Sequence, residues 1–196
     1  MTRLSTLFVA AVLAGTLLPS PARGQEPRWG FEFRADAGIS TQDAARDTHE
    51  NGFGFGAAIQ YRVLPHVALY GGWDWTRYQA LEAIAGPDVD LEETGYVAGA
   101  RFEHPLGSSR TRGWARIGAL YKHFELEDAD GTLLDDSGHG LGWEAGAGVT
   151  VPLGDSWSLL PGVRYRSVSR DVEVGAVGTE VELQAVAFEL AVRRLF

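Results

Sequence analysis

From Trp29 to Ile39 the chain alternates without a slip. Trp29, Phe31, Phe33, Ala35, Ala37 and Ile39 occupy one phase, and Gly30, Glu32, Arg34, Asp36 and Gly38 the other. A repeat of two residues places neighbours on opposite faces, as a β-strand does. The stretch from Val181 to Phe196 does the same, with Val186, Phe188, Leu190, Val192, Arg194 and Phe196 set against Ala185, Ala187, Glu189, Ala191, Arg193 and Leu195. The composition of the two faces constrains the fold more than the alternation does. One face is bulky and aromatic, and the other mixes small residues with full charges of both signs.

The same pattern recurs over Gly52–Arg62, Val67–Tyr78, Glu93–Glu103, Trp114–Glu125, Gly140–Val151 and Trp157–Val168, which makes eight expected strands. Leu120 interrupts the alternation of its strand, and Pro161 is expected to cost one ladder hydrogen bond. The connections fall into two sets. One is marked by Pro65, Pro105 and Pro152, with tight turns at Val63–His66 and Pro152–Asp155 and a longer link from His104 to Gly113. The other consists of longer loops at 40–51, after Tyr78, after Glu125 and from Ser169 to Thr179, most of them acidic. An even number of strands lets the first close antiparallel on the last, which removes both sheet edges. The expected fold class is all-β, an eight-stranded antiparallel up-and-down transmembrane β-barrel.

The charges decide which face meets lipid. The small-residue face carries Glu32, Asp36, Asp74, Glu103, Glu144 and Glu189 together with Arg34, Arg62, Arg101, Arg116, Lys122, Arg164, Arg166 and Arg193. An Arg or Lys facing hydrocarbon near the bilayer midplane costs about 2–4 kcal/mol, so this face must line the lumen. Eight strands enclose a space that side chains can fill. The expectation is a salt-bridged plug, with Gly and Ala making room for the long ionic chains. A soluble barrel of the lipocalin type reverses this pattern, with apolar side chains inside. The aromatic character of one face, the Gly-rich ionic character of the other and the terminal Phe196 favour the membrane form. Aromatic girdles are expected at both strand ends, from Trp29, Tyr61, Phe102, Trp114, Trp157 and Phe196 on the turn side and from Trp73, Trp75, Tyr96, Phe124 and Tyr165 on the loop side. Arg194, the one charge on the apolar face of the last strand, is expected to snorkel at the periplasmic interface.

The chain begins with one cation, Arg3, and an apolar run from Leu7 to Leu18, followed by Ala22-Arg23-Gly24. The run is short of the about 20 residues that span a bilayer and suits a signal peptide over residues 1–24, with the barrel domain over 25–196. No second apolar helix follows. The sequence has no cysteine, which excludes disulfides, thiolate metal sites and a cysteine nucleophile. The formal charge is −9, so a nucleic-acid partner is not expected.

Chemistry beyond a scaffold would fall to the five histidines, His49, His66, His104, His123 and His139. His66 and His104 lie in turns. Asp136, Ser137 and His139 supply the residue types of a hydrolytic triad, but they are loop neighbours without a supporting motif, and the order Ser137-Gly-His139 differs from the His-x-Ser of lipid A deacylase barrels. The acidic run from Asp128 and Asp130 to Asp135 and Asp136 offers oxygen ligands suited to Ca²⁺ without the spacing of an EF-hand. No catalytic, cofactor or metal residues are assigned.

As a whole, residues 29–196 resemble the small eight-stranded outer-membrane proteins, the class of the OmpA membrane domain, OmpX and the opacity proteins. The resemblance rests on the alternating strands, the turn and loop asymmetry and the terminal Phe196. It implies residence in the outer membrane among lipid and lipopolysaccharide, insertion by the barrel-assembly machinery with Phe196 as recognition handle, a monomeric state, and contact with host or cell-surface ligands through the loops. No peptidoglycan-binding domain is expected after the barrel. Fold alone does not fix function. The expected role is structural or surface-interacting and non-enzymatic, and the alternative is a lipid A-modifying enzyme with a His beside a hydroxyl or carboxylate at the outer rim.

Overall fold

The computed structural model describes residues 27–41, 51–78, 90–127, 133–136, 138–174 and 177–196. Nine strands follow one another: β1 (Trp29–Ser40), β2 (Asn51–Leu64), β3 (Val67–Tyr78), β4 (Asp90–Pro105), β5 (Arg112–Glu127), β6 (Leu133–Asp136), β7 (Gly140–Pro152), β8 (Trp157–Val174) and β9 (Val177–Leu195). Each long strand pairs antiparallel with the next, and β9 returns to β1 from Gly30↔Leu195 to Ser40↔Ala185. The result is a closed barrel of eight staves with the short β6 added beside the end of β5. Closure satisfies the backbone polar groups within the ladder, which a strand structure in lipid requires. Among the described residues no helix is long and apolar enough to cross a membrane.

Apart from β6, the strands run from 12 to 19 residues, longer than the 9–11 a tilted span needs. The excess lies mainly at the loop end. Ser169–Val174 and Val177–Thr179, read from sequence as part of a loop, continue the β8–β9 ladder to Val174↔Val177. The acidic stretch after β5 is likewise no simple loop, because Leu133–Asp136 folds back onto Glu125–Glu127. At the other end the link expected over His104–Gly113 shortens, since β4 reaches Pro105 and β5 starts at Arg112. A Leu106 N–H bond to the Thr111 carbonyl and a Ser109 hydroxyl bond to the Leu106 carbonyl tighten this turn.

Pro161 leaves the mark expected of it. The β7–β8 ladder runs to Gly148↔Gly162 and resumes in the same register at Val151↔Leu159. The proline has no N–H to give, so pairing lapses there and the register survives because both flanks are fixed.

The outward phase is the apolar one. Phe188 and Leu141 are 74% exposed, Ile117 63% and Tyr96 61%, and Ile59, Leu69 and Leu190 are exposed beside them. A continuous belt of this kind around a protein has no place in water and matches a hydrocarbon surround.

The ionic lumen and the two rims

Inside the barrel, the even residues of β1, β2, β3, β5, β7 and β8 meet the odd residues of β4 and β9. The buried set includes Glu32, Arg34, Asp36, Asp74, Glu93, Arg101, Arg116, Lys122, Glu144, Arg164, Arg166, Glu189 and Arg193. With Glu103, which pairs with Arg193, seven anionic and seven cationic groups make up the buried network of the described lumen, and Arg62, on the same face, is half-buried at its turn end. Isolated charges could not stay ionised at such depth, and balanced pairing is what makes the arrangement possible.

The pairs are stacked along the barrel axis. Nearest the turns, Arg193 bonds Glu103, and Arg101 holds Glu32 through both terminal nitrogens at 2.5 and 2.8 Å. In the middle, Arg116 reaches Glu189 at 2.6 Å and Glu144 at 3.2 Å. Arg164 bonds Asp36 at 2.6 Å and Asp74 at 2.9 Å. Asp74 is the most heavily shared acid, with Arg34 at 2.6 Å and Lys122 at 2.5 Å besides Arg164. Toward the loops, Lys122 lies 2.8 Å from Glu93, and Arg166 bonds Thr76 and the Tyr78 hydroxyl.

The plug is not purely ionic. Tyr78, Leu91, Leu120, Phe124, Val168 and Leu183 form an apolar layer inside the loop-side half, and Trp114, Leu160 and Ala191 form a smaller one near the turns. Leu120, which breaks the alternation of its strand, therefore belongs to this inner layer. Trp114 and Phe124 are corrected from the girdles to the lumen, where they are 3% and 1% exposed. Their parity with Arg116 and Lys122 is the signal that places them. The Trp114 ring lies 5.2 Å from the Arg101 guanidinium and 5.5 Å from that of Arg116, within cation–π range.

The glycines on this face serve the aromatics as much as the ions. A Cβ on Gly162 or Gly148 would come within 2.4 or 2.6 Å of the Trp114 ring, and one on Gly99 or Gly118 within 2.6 or 2.5 Å of the Tyr70 hydroxyl. Tyr70 uses that space to donate to Glu144 at 2.8 Å.

The remaining girdle residues stay outside. On the loop side Phe55 packs between Trp73 and Trp75 with ring centroids 5.9 and 5.3 Å apart, and Trp143 meets Tyr165 at 5.1 Å. On the turn side Trp29 meets Tyr61 at 4.7 Å, and Arg194 lies over Trp157 at 5.7 Å, in keeping with an interfacial, snorkelled cation.

Among the histidines, His66, His104 and Phe102 gather at the turn rim. His49, Ser137, Asp128 and Asp130 lie outside the described residues, as does the Asp136 side chain. At the loop rim His139 meets His123, with their facing nitrogens 3.1 Å apart, while the other ring nitrogen of His123 is 2.8 Å from Glu125. No described hydroxyl bonds either imidazole. Among the described residues no group of three or more His, Cys, Asp or Glu side chains could hold a metal ion.

An apolar exterior around a charge-balanced, packed interior defines an integral membrane β-barrel. Residues 8–193 match the family described as the outer membrane protein beta-barrel domain, and the chain belongs to that family. It is thus a protein of the outer membrane. Its fold is similar to that of Neisserial surface protein A, at 18% identity and a TM-score of 0.65 over 86% of this chain and 97% of that one. It is also similar to the outer membrane protein AlkL, at 16% identity and a TM-score of 0.56 over 91% and 95%. The attachment invasion locus protein Ail of Yersinia pestis, solved with the heparin analogue sucrose octasulfate, aligns at 14% identity and a TM-score of 0.54 over 88% and 100%. No curated protein matches the chain in sequence.

Proposed function

We propose that this protein is a sealed outer-membrane barrel that acts as a structural and surface-interacting element, presenting acidic loops outside the cell. The observation that carries this reading is the lumen itself, in which seven cationic and seven anionic groups interlock and share the space with two apolar clusters. A water-filled pore would need that network opened, and desolvated pairs resist opening because each broken partner leaves a buried charge. In planar bilayers the protein is expected to give no steps on the scale of a general porin; such steps would overturn the sealed-lumen reading.

The loops carry Asp43, Asp47, Glu50, Glu82, Asp88, Asp128 and Asp130, and their charge sets the chemistry of what they meet. Where Ail was solved with a polysulfated ligand, these loops favour a cationic surface, or an anionic one bridged by divalent cations. Binding of intact cells to heparin-coated beads is expected to be no stronger than that of cells lacking the protein. Assembly by the barrel-insertion machinery and a monomeric state are part of this proposal.

A second reading, a lipid A-modifying enzyme, draws on the His123–Glu125 contact at the loop rim. It requires a nucleophile beside that pair. Unchanged lipid A mass spectra when His123→Ala replaces the natural protein would retire it.

A further inference from the structure

On the outward phase of β5 the apolar belt gives way to an imidazole. Tyr121 is exposed on this phase, and His123 follows it one pleat nearer the loops, half-buried. The register Tyr121↔Leu141 and Lys122↔Gly140 brings His139, the residue just before β7, across from His123. His123 Nδ1 and His139 Nε2 then stand 3.1 Å apart. The Tyr121 ring backs His139, with centroids 5.0 Å apart. This end of the barrel is opposite the short turns and faces the cell exterior.

Glu125 fixes the proton of the pair. The other His123 nitrogen, Nε2, lies 2.8 Å from Glu125 Oε1, and a carboxylate only accepts, so Nε2 carries the N–H. In the neutral ring Nδ1 keeps its lone pair on the side of His139. The two rings do not meet head-on. An in-line N–H···N bond would hold their centroids about 5 Å or more apart, whereas they lie 4.3 Å apart with planes at 51°. That is the posture of two arms of a chelate. A metal ion about 2.0–2.1 Å from each nitrogen spans such a gap at an N–metal–N angle of roughly 95–100°, between the square-planar and tetrahedral values. A carboxylate that orients a metal-binding imidazole from its far nitrogen is the usual outer partner of such a ligand, and Glu125 stands in that place.

We propose that His123 and His139 form a surface site for a divalent transition ion that prefers imidazole, Cu²⁺ ahead of Zn²⁺, with Glu125 as positioning residue and water in the remaining positions. Among the described residues no group of three His, Cys, Asp or Glu side chains converges on one ion. The site is therefore open and exchangeable, unlike a closed four-ligand structural centre. Nitrogen donors select against Ca²⁺ and Mg²⁺, which take oxygen ligands. The formal charge of −9 favours the approach of any cation, and the imidazole pair supplies the choice among them.

The test uses the untagged barrel, purified from outer membranes into a zwitterionic detergent and stripped with a chelator. It is titrated calorimetrically with Cu²⁺ and, separately, with Zn²⁺, and the copper form is read by electron paramagnetic resonance. One saturable ion per barrel is expected, with splitting from two imidazole nitrogens and with Cu²⁺ bound more tightly than Zn²⁺. His123→Gln and His139→Gln are each expected to remove the two-nitrogen signature. Glu125→Gln is expected to keep that signature and weaken binding about tenfold, less than loss of either imidazole. The other described histidines, at the turn rim, are the control, and His66→Gln combined with His104→Gln should leave binding unchanged. The proposal is overturned if Cu²⁺ does not saturate, if His123→Gln or His139→Gln binds as the natural protein does, or if the turn-rim double variant abolishes binding. It is also overturned if excess Ca²⁺ displaces the copper, which would assign the ion to carboxylates. Heat-modifiable migration confirms that each variant is folded, and both imidazoles lie on the outer face, where substitution leaves the buried network intact.

Discussion

The lumen and the lipid-facing belt are made from alternate residues of the same strands, yet they are stabilised in opposite ways. In the belt, Leu190, Phe188 and Val192 each meet hydrocarbon largely alone, and a change at one leaves its neighbours as they were. In the lumen, Asp74 is shared by Arg34, Lys122 and Arg164, so no partner can be removed without stranding another. The lesson is that an inverted protein concentrates its specificity inside. Belt positions ask only for apolarity, whereas lumen positions ask for particular partners at particular heights.

The contrast is sharpest at Asp74. Asp74→Ala is expected to destabilise the barrel by about 3–5 kcal/mol, because three buried cations lose their shared acid; urea titration in lipid, read by heat-modifiable migration, measures it. The shared-acid account would be broken if adding Lys122→Met to that variant restored nothing, since coupled sites show interaction energies of about 0.5–3 kcal/mol. Leu190→Arg in the belt is expected to cost about 2–4 kcal/mol near the midplane, a loss set by lipid alone and additive with the lumen changes. At the rim, where Arg77 and Glu92 pair at 3.4 Å in partial contact with solvent, Arg77→Ala is expected to change stability by no more than about 1 kcal/mol. A larger loss there would show that the coupled interior reaches farther out than its buried pairs.

Much of this was legible in the residues because a period of two survives any detail of packing. Parity gathers the charges on one face, their cost in hydrocarbon turns that face to the lumen, and the even strand count gives the antiparallel closure of β1 on β9. Nearness to strand ends suggests a girdle position for Trp114 and Phe124, whereas their parity with Arg116 and Lys122 puts them in the lumen, where they are buried. Glu93 stands at the expected strand boundary, where alternation gives no face, yet it shares the phase of Gly95, Val97 and Arg101 and is fully buried. Strand lengths were underread for a related reason. β8 and β9 keep pairing to Val174↔Val177 through Asp171-Val172-Glu173-Val174 and Thr179-Glu180-Val181-Glu182, whose alternation is masked by the Gly-rich stretch between them, and β6 follows from a fold-back that charge density conceals. The loop-rim meeting of His123 and His139 was likewise invisible, because it depends on the register of β5 and β7 across Lys122↔Gly140.

The last strand has a consequence for how such a barrel reaches its final state. β9 supplies Glu189 to Arg116 and Arg193 to Glu103, and it is also the strand that joins β8 to β1. Until it docks, two sheet edges stand open, Glu103 on β4 lacks Arg193, and Arg116 on β5 lacks one of its two close acids. Edge closure and charge neutralisation therefore coincide in one event, so that a barrel closed in the wrong register would betray itself by ions left unmatched inside. The ionic plug thus works as an internal checksum on assembly.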